Sequence, residues 1–219
     1  MGKPIRQLIP AIQEKLVNFS FLDFAAGTGY ATYYGGKVRT SYALSNNVFN
    51  SDNLNTSAVI VSSAAYTKLI DLDFDVNFNI PQNIKGPAIV DVPVGIYNLG
   101  TGTTGEAYIE ARIRKWNGTA ETSLAVASSA VWAFGTLAGQ MNYNMRSAKP
   151  VIPSTHFQAG ETLRLTIEGW AKLTEANDAR LVLYHDPANR SSCDGELYNN
   201  PLASGASILK LQLPIKIEG

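Results

Sequence analysis

The chain has 219 residues, 45% of them apolar and 16% charged, and its 18 basic and 18 acidic side chains cancel. That length suits one large domain with its own core, and a balanced charge lacks the electrostatic footprint of a nucleic-acid binder. The single cysteine, Cys193, excludes an intramolecular disulfide framework, so stability has to come from packing.

In residues 2–18, Ile5, Leu8, Ile9, Ile12 and Leu16 fall at helical spacing, but Pro10 breaks a continuous helix. The spacing predicts a short helix from Pro10, which is tolerated at a first helical position, to about Asn18. Such a helix cannot bury its stripe alone. Residues 1–18 are therefore expected to be a docking arm with Ile5, Leu8, Ile9, Ile12 and Leu16 as its interface, and 19–219 a single domain. The opening segment is charged and proline-interrupted, unlike a signal peptide, and Arg6 stands where a myristoylation signal needs Ser or Thr. No apolar run approaches the roughly 20 residues of a spanning helix, so no membrane partner is expected.

Beyond the arm, the pattern is that of β-strands. Phe19 to Tyr34 is rich in aromatic residues and Gly35-Gly36 reads as a turn. Tyr42 to Ser63 is polar and irregular apart from a short strand at Ala58 to Val61. From Leu69 to Ile80 the alternation is strict: Ile70, Leu72, Phe74, Val76, Phe78 and Ile80 face one side, Asp71, Asp73, Asp75, Asn77 and Asn79 the other. Ala88 to Val94 contains Pro93, which suggests an edge strand or a bulge.

Glu106 to Lys115 puts Ala107, Ile109, Ala111 and Ile113 on one face, and Asn117-Gly118 turns it into Glu121 to Ala127. Val131 to Phe134 precedes a glycine-containing loop to Met145. In Phe157 to Pro187 an Ala-Gly-Glu turn leads into Leu163, Leu165 and Ile167 facing inward, with Thr162, Arg164, Thr166 and Glu168 outward. A polar loop follows Trp170, then Leu181 to Tyr184, so the two runs read as a hairpin. Ile208 to Ile217 closes the chain. The whole predicts an antiparallel β-sandwich of roughly eight main strands, with Phe74, Phe78, Leu165, Ile167, Leu211 and Leu213 in one core.

The Phe-x-Ala-Gly-Glu turn, the Leu-Arg-Leu-Thr-Ile strand and the closing Leu-Tyr-His-Asp-Pro resemble the jelly-roll structural proteins of tailed-bacteriophage particles. The likeness runs over residues 71–86 and 156–190. It implies a jelly-roll sandwich located in the virion, as a head decoration (cement) protein. A homo-oligomer such as a trimer is implied, with the major capsid protein or tail components as partners. The alternative is a tail, collar or fibre component that binds a glycan receptor. The family carries no catalytic motif, so the chain is expected not to be an enzyme.

Other constellations weigh little beside this reading. Gly100-Thr-Gly102-Thr-Thr-Gly105 spells a dinucleotide fingerprint, but no βαβ pattern surrounds it, so no cofactor is implied. Asp71, Asp73 and Asp75 lie on one strand face and cannot converge on one ion as a calcium loop's ligands do. No metal is expected there; the ladder is a candidate interface or ion-pair face with Arg112 and Arg114. His156, His185 and Asp186 lack a nucleophile on a strained turn. Tyr30, Tyr33, Tyr34, Tyr42, Trp116, Trp132 and Trp170 are candidates for sugar stacking.

Overall fold

A computed structural model describes residues 17–18, 28–60, 62–98, 104–135, 141–174, 179–190 and 207–216. Among them the chain forms fifteen strands and no helix. They are β1 (Val17–Asn18), β2 (Thr28–Val38), β3 (Ser41–Ser45), β4 (Asn55–Ile60) and β5 (Ser63–Asn77). Then come β6 (Gln82–Pro87), β7 (Ile89–Asn98), β8 (Thr104–Trp116), β9 (Glu121–Ser128) and β10 (Trp132–Gly135). The last are β11 (Met141–Ala148), β12 (Val151–Phe157), β13 (Thr162–Leu173), β14 (Ala179–Tyr184) and β15 (Leu209–Lys216).

The strands make two layers, as expected of a jelly-roll-type sandwich. The larger has eleven strands with the path β4-β14-β7-β15-β2-β3-β5, to which β1, β11, β6 and β12 attach. The smaller is β10-β8-β13, with β9 on β8. Pairing between the strands is antiparallel except between β3 and β5, where Tyr42 and Ala43 lie opposite Phe74 and Asp75 in parallel, and a single parallel bridge joins Ser62 to Leu173. Strand β5 also runs beside β13. Thr162, Arg164 and Thr166 bond to Asn77, Asp75 and Asp73 in turn, an antiparallel progression. β5 therefore stands at the corner where the two layers meet.

Alternation explains the core. Val90, Val92, Val94 and Ile96 of β7 face Ala107, Ile109, Ala111 and Ile113 of β8, all fully buried in one cluster with Leu163, Leu165 and Ile167. Of the six expected core residues, Phe74, Leu165, Ile167, Leu211 and Leu213 are fully buried and Phe78 nearly so. The β8–β9 hairpin forms as read: Gly118 takes φ 94°, and the Asn117 Oδ1 accepts from the amides of Thr119 and Ala120.

Several local readings need correction. Gly35 and Gly36 are inside β2, and the turn lies at Arg39-Thr40. A Cβ on Gly35 would lie 2.6 Å from Leu209 Cδ2, and one on Gly36 2.8 Å from Pro187 Cδ. The glycines are there for close packing, not for a bend. Pro93 does not mark an edge. Central β7 pairs β15 through residues 89–91 and β14 through 94–98, so the missing N–H falls where the partner changes.

The runs 162–173 and 179–184 are not a hairpin, because β13 pairs β8 while β14 lies between β4 and β7 in the other layer. Leu181, Val182, Leu183 and Tyr184 are all buried, the sign of a strand covered on both faces. Ile80 falls beyond β5 and is 65% exposed. β3 falls in the stretch read as irregular, β11 starts in the stretch read as a loop, and β6 and β12 were not read as strands, so the strands number more than eight. Of the arm, Val17–Asn18 is strand rather than helix and pairs Ala31 and Tyr30. Ile5, Leu8, Ile9, Ile12 and Leu16 lie outside the described residues.

Truncating Leu165, which is fully buried, is expected to cost about 2–5 kcal/mol. Denaturant unfolding of Leu165→Ala checks it, and Gly35→Val should unfold at still lower denaturant because Leu209 and Phe74 leave no room.

Candidate binding face

The outward face of β5–β13–β8–β9 gathers most of the charge that the sequence singled out. On β13 the even-numbered residues point out, opposite Arg114, Arg112 and Glu110 of β8 at positions 164, 166 and 168. Arg164 grips Asp75 with both prongs, Nε and Nη2 each donating at 2.8 Å. Its Nη1 also lies 3.1 Å from Glu121 and 3.6 Å from Asp73. These bonds, Asp75 first, raise the guanidinium's pKa above its ordinary range.

Arg112 and Arg114 lie on this face too, but the Asp ladder is held by Arg164 and Lys68. Lys68 Nζ is 2.6 Å from Asp71, while Arg114 pairs Glu121 at 2.9 Å and Arg112 pairs Glu110 and Glu168. Asp71 thus pairs Lys68, while Asp73 and Asp75 share Arg164. Among the described residues no three Asp, Glu, His or Cys side chains are grouped to hold a metal ion.

Glu168 is the hub. Its side chain is 4% exposed although it is on the outward face. Arg112 Nε lies 3.1 Å and Lys68 Nζ 3.5 Å from Oε1, and Trp170 Nε1 donates to Oε2 at 3.0 Å. Thr166, fully buried beneath these long side chains, donates to Asp73 at 2.5 Å. Long charged stems shield short polar groups, which a two-face alternation does not reveal.

Next to this ladder is an aromatic cluster. Trp170 and Tyr108 are cross-strand partners with parallel rings, 5.9 Å apart and 4° from coplanar. Tyr66 meets Tyr108 edge-on at 5.1 Å and donates to Glu106, whose other partner is Lys172 Nζ at 2.9 Å. The bonds from Tyr66 and Lys172 hold the Glu106 carboxyl below its usual range. Sequence reasoning had Trp170 but missed Tyr66 and Tyr108, and the β13–β8 register is what joins them. Of the other stacking candidates, Trp132 is buried and so is Tyr33, whose hydroxyl is pushed up to about 12 by burial. Tyr30 donates to Pro87 O, and Tyr42 is hydrogen-bonded to Thr56.

The histidines are far apart in role. His156 is exposed and bonds Asn83 at 2.7 Å. His185, fully buried at the end of β14, sits 3.0 Å from the Thr56 hydroxyl and against the rings of Tyr42 and Phe74. The neighbouring Asp186 is engaged by Arg190 through Nε and Nη2, each at 3.0 Å, rather than by the imidazole. Burial alone would raise the Asp186 pKa, but the Arg190 bonds outweigh it and hold the carboxyl low. Residues 100–103 of the glycine motif lie outside the described residues. Gly105 opens an antiparallel strand, where a Cβ would meet Lys172 O at 2.4 Å.

No family model and no curated protein matches the chain. Among solved structures it is similar to an aminopeptidase from a marine sediment archaeon, Thaumarchaeota archaeon. The TM-score there is 0.51 at 7% identity, over 84% of this chain and 37% of that one. It is also similar to a CocE/NonD family hydrolase from Staphylococcus aureus, with TM-score 0.45, 12% identity, 86% of this chain and 37% of that one. A third is the structure of infectious bursal disease virus, Gx strain, with TM-score 0.28, 10% identity, 84% of this chain and 42% of that one. The chain thus spans well under half the length of each. The expectation that it is not an enzyme does not stand: the solved chain it resembles in fold at TM-score 0.51 is an aminopeptidase.

Burial lowers the His185 pKa from 6.5 to about 4, with Lys37 adding to the effect and Asp186 opposing it. The unfolded chain then takes up a proton that the folded chain refuses, so stability is fully present above pH 6.5 and is lost as pH falls toward 4. The expected loss is on the order of 3 kcal/mol. Urea melts at neutral and acid pH check it, and His185→Gln should remove that part of the pH slope.

Proposed function

We propose that the chain is a structural protein of a tailed-phage particle, with head decoration its position and the face of β5–β13–β8–β9 its docking surface. The resemblance of residues 71–86 and 156–190 to such proteins supports the particle reading. The observation that carries the docking surface is the ion-pair ladder centred on Glu168. Its charges are already answered within the chain, and the rings of Trp170, Tyr108 and Tyr66 stand beside them. Arginines and aromatic side chains held in place need little further ordering on contact, and such residues concentrate binding energy at interfaces. The protein works as a homo-oligomer against the major capsid protein.

A second reading follows from the aminopeptidase likeness: the chain serves as the sandwich part of a hydrolase. Release of a chromogenic amine from an aminoacyl anilide by the purified chain would favour it over the particle reading.

Counting protein copies in purified particles tests the first reading. A copy number that scales with the major capsid protein is expected, and a few copies per particle would place the chain in the tail. Trp170→Ala should leave folding intact and reduce occupancy on the particle about tenfold or more.

A further inference from the structure

Strands β10 and β11 form one margin of the sandwich, β10 bonded to β8 in one layer and β11 to β7 in the other. Register fixes where β11 points. Asn142, Arg146 and Ala148 stand opposite Ile96, Val92 and Val90, whose side chains are fully buried in the core. Cross-strand partners share a sheet face, so Arg146 and Asn142 aim between the layers, where alternation would place apolar residues. Trp132 of β10, 7% exposed, meets Arg146 there, with the Arg146 Cζ 4.5 Å from its ring centre.

Three donors at this margin are buried with no hydrogen-bond partner among the described residues: Trp132 Nε1, Arg146 Nε and Asn142 Nδ2. Burial pushes the Arg146 guanidinium below its ordinary range, and no carboxylate among the described residues offsets it. The indole face answers part of the charge of the half-buried guanidinium, but a buried donor without an acceptor is costly. A protein interior normally satisfies such groups, and among the described residues none supplies the acceptor.

The geometry selects the acceptor. A guanidinium presents parallel N–H groups that match the two oxygens of a carboxylate, and the indole N–H is on the rim of the ring it covers. The strand selects the carrier. Among the described residues β11 pairs only with β7, so its other edge is open to an added strand. An extended segment there sets its side chains about 4.5–5.5 Å from their β11 partners, and an acidic one opposite Arg146 aims between the layers.

We propose that Arg146, with Trp132 and Asn142, forms a carboxylate site at the open edge of β11 that captures an Asp or Glu on an extended segment of a neighbouring protein. The site does not depend on the particle reading, since purified protein and peptide alone test it.

The experiment titrates the full chain with a short end-blocked Thr/Val peptide carrying one central Glu, with its Gln counterpart, and with acetate. Indole fluorescence is the readout, and Trp132→Phe identifies the signal. The Glu peptide is expected to bind about tenfold or more tighter than the Gln peptide, and acetate only far more weakly. Arg146→Gln should abolish the discrimination while melting no lower than the parent, because it removes a half-buried guanidinium that no carboxylate among the described residues offsets. Arg146→Lys, which keeps charge without the fork, should lose most of it too and covers the case in which Arg146→Gln does not fold. Equal binding of the two peptides, discrimination that survives both substitutions, or acetate binding as tightly as the Glu peptide would overturn the proposal.

Discussion

β13 is held on both sides, by β8 through twelve residues in continuous register and by β5 through the bonds of Thr162, Arg164 and Thr166. Its inward face, Leu163, Leu165 and Ile167, fills the core, while its outward face anchors the charges. Close packing locks it further: a Cβ on Gly169 would lie 2.7 Å from Leu181 Cδ2 on the opposite layer. Because β5 also pairs β3, this one strand ties the small layer to the large one. The rest of the sandwich can vary at its margins only because this corner does not.

The same constraint shapes the candidate face. Once Thr166 and Glu168 are fixed on β13, Arg112, Lys68 and Trp170 have to close over them, since a buried carboxylate without cationic and N–H partners would be prohibitively costly. The polar ladder is therefore part of the structure as well as a surface offered to partners. The margin at β10 and β11 is the contrary case, where buried donors were left open.

Strands with one face in the core were legible in the sequence because alternation of residue type records alternation of environment. Residues 70–78, 107–113 and 163–167 are such stretches, and their buried faces came out as read. Strands buried on both faces or made of polar residues were not legible that way. β14 looked like the return of a hairpin because Leu181 to Tyr184 shows no period that would assign it to a layer. β11, with Asn142, Asn144 and Arg146 on its inward side, looked like a loop. Pairings between distant strands were hidden too. The Asp ladder was visible, but its partner Arg164 depends on β5 lying beside β13, and the Tyr66–Tyr108–Trp170 cluster on that same adjacency and the β8 register.

Native-state amide exchange bears most directly on the role given to β13. Residue-resolved exchange measured with increasing denaturant separates amides released by local opening from those released only by global unfolding. The structure predicts that the amides of 163–171 exchange only with global unfolding, and that those of the margin strands β9 and β11 open at lower free energy. Exchange of 163–171 as early as β9 or β11 would contradict it, because the strand that ties the two layers cannot open before its margins do.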